Sequence, residues 1–234
     1  MSVLLLRLAG PLQAWGSSAR FVRRTTENAP TKSGVLGLLA AAEGRAREDD
    51  LSDLAALRFG VRIDQPGTRV RDFQTAHHFD TDKSMPLSER FYLADAVFVA
   101  GVEGDPDDVR RLYAAVREPV YLPYLGRRSC PPAAPVDLGV RDDADLATAL
   151  EQAPWQASPW YRERHPERAD LTVLLDSLPG ETPEQTFRDT PISFDPRHRR
   201  YGLRGVTSAT VSRPEVAPTR PLFDHDPTSV LGPA

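Results

Sequence analysis

Val3-Leu4-Leu5-Leu6-Arg7-Leu8, ended by Ala9-Gly10-Pro11, and Val35-Leu36-Gly37-Leu38-Leu39-Ala40-Ala41-Ala42 set the frame of this 234-residue chain. The first is an apolar run of strand length closed by breakers, the pattern of a buried strand. The second is rich in alanine and leucine and predicts a helix, with Thr31 and Ser33 as candidate N-caps. Residues 12–29 between them are polar and basic without helical periodicity, which predicts a loop. A short helix fits Asp50–Leu57, with Leu51, Leu54 and Leu57 on one face. Phe59-Gly60-Val61-Arg62-Ile63-Asp64 alternates as a half-buried strand does, and Gln65-Pro66-Gly67 turns the chain. Thr68–His78 and Leu87–Leu93 read as the arms of a long hairpin joined by the polar tip Asp80–Pro86. Ala94–Ala100 is a further strand. Pro106–Glu118 is an amphipathic helix with Val109, Leu112, Tyr113 and Val116 on one face. Val120–Leu125 reads as a last strand or an extended segment before Gly126-Arg127-Arg128-Ser129.

With the hairpin set aside, the order is βαββαβ. The expected class is α+β: a ferredoxin-like domain of the RNA-recognition type over residues 1–140, with an inserted thumb hairpin at about 67–93. Residues 141–234 are expected to form a smaller C-terminal extension. It follows Pro131, Pro132 and Pro135, and holds a helix at Asp143–Gln152, a segment with Trp155, Trp160 and Tyr161, and strands at Leu171–Leu175 and Tyr201–Val211. A Pro-rich tail from Pro214, loosely ordered or docked on a partner, ends it.

Hydrophobic residues make up 40% of the chain, enough for a packed core and against global disorder. No run approaches the roughly 20 apolar residues of a membrane span, and no signal-peptide pattern opens the sequence. Cys130 is the only cysteine, which excludes an internal disulfide and a zinc site built on several cysteines. A soluble cytoplasmic protein without metal, cofactor or membrane partner is the expectation. The net charge of −4 is unevenly spread. Arg7, Arg20, Arg23, Arg24 and Lys32 face only Glu27 in the first 40 residues, while acids gather at Glu48-Asp49-Asp50-Asp53 and Asp105-Asp107-Asp108. Screening over about 8–10 Å lets a local basic face bind phosphate on an acidic protein. Of the 29 basic residues only Lys32 and Lys83 are lysines, a bias that genomic composition also produces.

Four places suggest chemistry. Thr31, Lys32, Ser33 and Gly34 open the main helix, where free N–H groups, a cation and hydroxyls suit a phosphate; an ordinary helix cap is the plainer reading. The spacing is not that of a nucleotide-hydrolase phosphate loop. Tyr121-Leu122-Pro123-Tyr124-Leu125-Gly126-Arg127-Arg128-Ser129 offers tyrosines to stack on bases and arginines to clamp phosphates, or else a basic surface turn. Arg20-Phe21-Val22-Arg23-Arg24-Thr25 is a basic loop with one aromatic, either an RNA groove or a solvated loop. Arg69, Arg71, His77, His78, Lys83 and Arg90 decorate the hairpin, to touch RNA, clamp a neighbouring subunit, or simply pack. His77, His78, Lys83 and Tyr92 also admit a metal-independent ribonuclease, which needs a base for the 2′-hydroxyl and an acid for the leaving oxygen. His198, within Arg197-His198-Arg199-Arg200, reads as a charged surface turn. No motif of a metalloprotease, a nucleophile elbow or a carboxylate cluster is present.

Taken together, several segments resemble the CasD family. They are Leu6-Arg7-Leu8-Ala9-Gly10-Pro11-Leu12-Gln13-Ala14-Trp15-Gly16, Pro30–Ala41, Arg71-Asp72-Phe73-Gln74-Thr75 and Tyr124–Pro131, in matching order over about residues 1–135. The resemblance implies a ferredoxin-like subunit of Cascade, the type I-E CRISPR surveillance complex. Such a subunit caps the 5′ handle of crRNA, reaches its thumb toward the backbone subunit CasC, touches the large subunit CasA, and meets target DNA through the assembled complex. There a separate protein, CasE, cuts the precursor RNA, so no catalytic residue is implied; in a sister subtype the CasD-like protein makes that cut. Carried onto this sequence, Thr31, Lys32, Ser33 and Gly34 would meet phosphates and Arg23 and Arg24 would line the path. Tyr124, Leu125, Gly126, Arg127, Arg128 and Ser129 would hold the handle from the other side, and Arg71 and Arg90 would guide RNA at the thumb base. Trp15 would mainly buttress its loop, with base stacking as the alternative. Asp80, Asp82 and Glu89 depart from a uniformly basic thumb and turn its tip toward protein.

Overall fold

The apolar run at the N-terminus has hydrogen-bonded neighbours on both edges and side chains covered on both faces. In the computed structural model, which describes residues 1–17, 23–167 and 170–214, it is β1 (Ser2–Ala9). In chain order follow the two-residue strands β2 (Leu12–Gln13) and β3 (Arg23–Arg24), then α1 (Lys32–Ala42), α2 (Ser52–Ala56), β4 (Arg58–Gln65), β5 (Thr68–Gln74), β6 (Ser88–Ala94), β7 (Val97–Gly104), α3 (Pro106–Arg117), β8 (Asp137–Asp142), α4 (Leu146–Gln152), α5 (Pro159–Arg164), β9 (Asp170–Asp176), β10 (Gln185–Ser193) and β11 (Arg200–Ser212). A seven-stranded antiparallel sheet has the order β10-β11-β9-β4-β7-β1-β8. Leu4, Leu6 and Leu8 pack with α1 and α3 on one face, and Val3 and Leu5 pack with α4 on the other. Burial on both faces is why β1 reads as a continuous apolar run instead of an alternating one.

The helices begin where the sequence places caps. The Thr31 hydroxyl accepts from Gly34 N, and the Asp105 carboxylate accepts from Asp107 N ahead of Pro106, an N-cap followed by proline in the first turn. Gly60 and Gly101 let α4 lie close, since a Cβ at Gly60 would stand 2.9 Å from Leu150 and one at Gly101 2.7 Å from Leu146. Arg62, fully buried, pairs with Asp64 at 2.7 Å and donates to the carbonyls of Leu150, Ala153 and Pro154. It thereby satisfies the carbonyls that the end of α4 leaves over.

Val120–Leu125 is not the strand that closes the βαββαβ order. The N–H groups of Val120 and Tyr121 donate to Ala42 and Ala41 at the end of α1, and Pro123 has no N–H to give. The closing strand is β8, which pairs with β1 from Ser2↔Asp142 to Leu6↔Asp137. The four strands of that order therefore lie side by side as β4-β7-β1-β8. The boundary expected after residue 140 falls inside β8, and β9, β11 and β10 continue the same sheet beyond β4. The hairpin expected at about 67–93 is β5 and β6, paired from Thr68↔Ala94 to Gln74↔Ser88. Arg20, Phe21, Val22 and the tail from residue 215 onward lie outside the described residues.

A buried ionic network joins the two ends of the chain. Lys32 Nζ lies 3.0 Å from Asp176 Oδ2. Arg204 bridges Asp176 (2.8 Å) and Asp189 (2.8 and 2.7 Å), and the Asp189 carboxylate also accepts from the backbone N–H of Lys32 at 2.8 Å. Burial opposes the Arg204 charge, but the bonds and attraction from Asp189 and Asp176 outweigh it and hold the guanidinium pKa above its ordinary value. Removing one member of such a group leaves a buried charge uncompensated, which costs about 3–5 kcal/mol. Arg204→Met is therefore expected to lower unfolding stability in urea by about 3 kcal/mol; a loss below about 1 kcal/mol would show that the network is not what binds β10 and β11 to α1.

Candidate nucleic-acid interface

The motifs singled out in the sequence gather around β6. On one edge it pairs with β2 and, in parallel, with β3, which sets Arg23 beside Glu89 and Arg24 beside Arg90. On the other edge β5 sets Arg71 opposite Phe91 and Asp72 opposite Arg90. Residues two apart share a face of a strand. Arg23 and Arg71 thus flank Glu89 at 3.7 and 3.3 Å, with their guanidiniums over Phe91 (5.3 Å) and Phe73 (4.7 Å). Glu89 is one carboxylate between two guanidiniums and leaves an excess of positive charge. Arg24 is exposed. Arg90 is half-buried, and its Nε is buried with no hydrogen-bond partner among the described residues. Arg69 fastens the thumb base by donating to Thr26 O (3.1 Å) and Asn28 Oδ1 (2.8 Å).

The turn after Tyr124 is held against this surface. Leu125 is fully buried; its N–H donates to Cys130 O, and its carbonyl accepts from Ala14 N. Gly126 has φ +81°, and a Cβ there would fall 1.8 Å from the Ala14 carbonyl oxygen, so only glycine fits. Trp15 is fully buried, which makes it the structural element expected of it. Its indole N–H donates to Gln13 Oε1 at 3.0 Å, and its ring limits the space at both Gly34 and Gly126. Burial pushes the Cys130 thiol pKa up, with Ser129 and Arg127 acting the other way.

The CRISPR-associated protein (Cas_Cas5) family model matches residues 3–207. The chain belongs to that family. It is 36% identical over 217 residues to the CRISPR system Cascade subunit CasD of Escherichia coli strain K12, covering 84% of this chain and 91% of that one. A solved structure described as "Crystal structure of Cas protein" is 37% identical, with TM-score 0.72 over 92% of this chain and 100% of the other. Another, described as "CRISPR RNA-guided surveillance complex", is 31% identical, with TM-score 0.73 over 93% of this chain and 95% of the other. No helix among the described residues is long and apolar enough to cross a membrane.

Within this Cas_Cas5 chain the predicted site residues divide. Thr31, Lys32 and Ser33 are buried. The anion at the N-terminus of α1 is the protein's own Asp189, and the Lys32 charge is spent on Asp176. Gly34 admits the Trp15 ring, since a Cβ would lie 2.8 Å from it. The phosphate-binding reading of these four residues is therefore corrected to a structural one. Leu125 belongs to the core, and Arg127 acts as a brace. Its guanidinium donates to Phe91 O (3.1 Å) and Arg24 O (2.8 Å) and stacks on Tyr92 at 4.7 Å. Arg128 and Ser129 are exposed, and Tyr124 is 36% exposed. Of the ribonuclease candidates, Tyr92 is buried at the thumb base opposite Val70. His77 lies seven residues up the hairpin, on the order of 20 Å away, so that set does not converge. Sequence reading gave Phe73 and Phe91 no site role and Tyr92 only a catalytic one, where the structure makes all three ring partners of arginines; the alternation of arginine with aromatics in Arg71-Asp72-Phe73 and Arg90-Phe91-Tyr92 was the available signal. Two neighbours should separate in a melting experiment. Arg127→Gln removes charge-assisted bonds and should cost about 1.5 kcal/mol or more, whereas exposed Arg128→Gln should stay within about 0.5 kcal/mol. Equal losses would contradict the division.

Proposed function

We propose that this chain is a non-catalytic subunit of a type I-E Cascade complex that holds the 5′ handle of crRNA on the face formed by β3, the thumb base and the turn 126–129. The observation that carries this reading is the set of exposed arginines Arg23, Arg24, Arg71 and Arg128 on the strands and turn beside β6, with Arg24 level with Arg90, whose buried Nε has no hydrogen-bond partner among the described residues. Arginine forks suit phosphate oxygens, and the adjoining rings of Phe73, Phe91 and Tyr124 suit unstacked bases. The order β4-β7-β1-β8, with α1 and α3 on one face, supports the ferredoxin-like description of the first unit. Mixed phosphate and base contacts would fix a constant repeat-derived segment while leaving the rest of the guide unread.

In this reading the thumb reaches the backbone subunit CasC. Phe79 is fully exposed at its tip and Met85 and Leu87 are half-exposed, apolar surface that a protein neighbour would cover. CasA and, through the assembled complex, target DNA are the remaining partners, in the cytoplasm and away from membranes. His77, His78 and Lys83 at the thumb tip keep a metal-independent endoribonuclease as the rival. The test is labelled RNA carrying the 5′ handle, incubated with the full chain in chelator across a salt series. The double variant Arg24→Ala/Arg128→Ala should weaken binding by about tenfold and lower the salt slope by roughly 1.4, at about 0.7 per lost phosphate contact on a single strand, with the RNA intact throughout. Cleavage within the repeat, or an unchanged slope in the variant, would overturn the reading.

A further inference from the structure

The hairpin joining β10 to β11 lies apart from the face just described. β11 is 13 residues long, but only Val206–Ser212 pair with β9, while the part from Arg200 to Gly205 pairs with β10 alone. Two strands therefore run on past the end of the sheet as a ribbon, over roughly 20 Å. Register fixes their direction. Val206 lies level with Asp176 and the Arg58 end of β4, and the ribbon continues away from there, whereas the thumb leaves from the Gln65 end. One side of the ribbon rests on α1, where Phe194 covers Gly37 and stacks at an angle with Tyr201, ring centroids 6.3 Å apart.

At the tip, Arg197, His198, Arg199 and Arg200 are all exposed, as is Arg188 on β10. Among the described residues none of these arginine side chains has an ion pair. Asp195 is the one acid of the turn, and its carboxylate accepts from the Arg197 backbone N–H at 2.8 Å. Glu48 lines the shallow cleft beside Asp195, Pro196 and Arg197. A chain with net charge −4 thus presents three guanidiniums and an imidazole on one exposed stretch, residues 197–200. Arginine at every cationic position but one favours forked recognition of phosphate over simple solvation. The nearby aromatics, Phe194 and Tyr201, face each other, so the stacking platform that single strands use is missing. Resting on α1, the ribbon offers only its exposed arginine tip, and the rigid backbone of a duplex, with its phosphates held at fixed spacing, is a surface that such a tip can meet without entering a groove.

We infer that the β10–β11 ribbon binds the sugar-phosphate backbone of duplex DNA through Arg197, Arg199 and Arg200. This surface is separate from the RNA face and independent of the reading given to it. The test is fluorescence anisotropy of the full chain with a labelled blunt DNA duplex of about 25 base pairs, over a salt series, using the triple variant R197A/R199A/R200A. At low salt the triple variant should bind on the order of tenfold to a hundredfold more weakly, with the salt slope reduced by about two to three. Its melting temperature should match the parent, because these side chains have no ion pair to lose among the described residues. The variant R197K/R199K/R200K should keep the slope. Arg24→Ala/Arg128→Ala should leave duplex binding within about twofold, so failure of the RNA reading and failure of this one are told apart. Unchanged duplex affinity in the triple variant would overturn the inference. So would an equal loss for a single strand of the same length, or for vesicles containing phosphatidylserine, since the ribbon would then be a general polyanion patch.

Discussion

Burial of the Trp15 indole is the constraint on which the interface depends. A buried tryptophan removes about 150–250 Å² from water, worth about 4–6 kcal/mol at 25 cal/mol/Å². That gain is available only if neighbouring backbone comes close. Gly34 at the start of α1 and Gly126 in the basic turn both stand against the ring, and a side chain at either would collide with the ring or with Ala14. Two segments more than 90 residues apart in sequence are thus held against one indole. The main-chain bond from Trp15 N to the Thr26 hydroxyl, 2.9 Å, places the chain leading out of β3. The basic face is shaped by an apolar contact beneath it.

Arginine serves two purposes in this molecule, and burial separates them. Arg62, Arg127 and Arg204 point inward and each donate several hydrogen bonds to carbonyls or carboxylates. They act as multi-pronged ties between segments, a use that the planar five-donor fork permits and lysine does not. Arg24, Arg128, Arg197 and Arg199 point outward and remain available for phosphate. A count of basic residues, or the net charge, cannot distinguish these groups. Arg127 and Arg128 are neighbours with opposite fates because the carbonyls of Phe91 and Arg24 arrive within reach of only one of them.

The parts of the fold that were legible are those set by local periodicity. β1, β4, α1, α3 and the thumb strands carry apolar patterns and caps strong enough to survive tertiary context. β8 was missed because Gly139, with φ +102°, and the charged Asp137, Arg141 and Asp142 interrupt any alternation. β10 was missed because Arg188, Asp189 and Pro191 read as loop; it lies at the edge of the sheet, where proline and irregular register are tolerated. Of the site, what local sequence could suggest was the grouping of motifs: Arg24 lies beside Arg90 of the thumb, and the turn at Gly126 is tied to it through Arg127. Lys32 was misread because its neutralising partner Asp176 and the helix-capping Asp189 are 144 and 157 residues away, and no local pattern reports such a contact.

That separation has a consequence for synthesis. The first βαββαβ unit is complete once β8 leaves the ribosome, but Lys32 and the free end of α1 stay uncovered until Arg204 and its two carboxylates emerge. At typical elongation rates of about 5–20 residues per second, the wait is about 3–12 seconds. During that interval the nascent chain presents a cationic helix end that the finished protein conceals. β11 therefore acts as a closure, and a message truncated before it would release a chain that keeps Asp176 and Asp189 but lacks Arg204, leaving two carboxylates to share the single charge of Lys32.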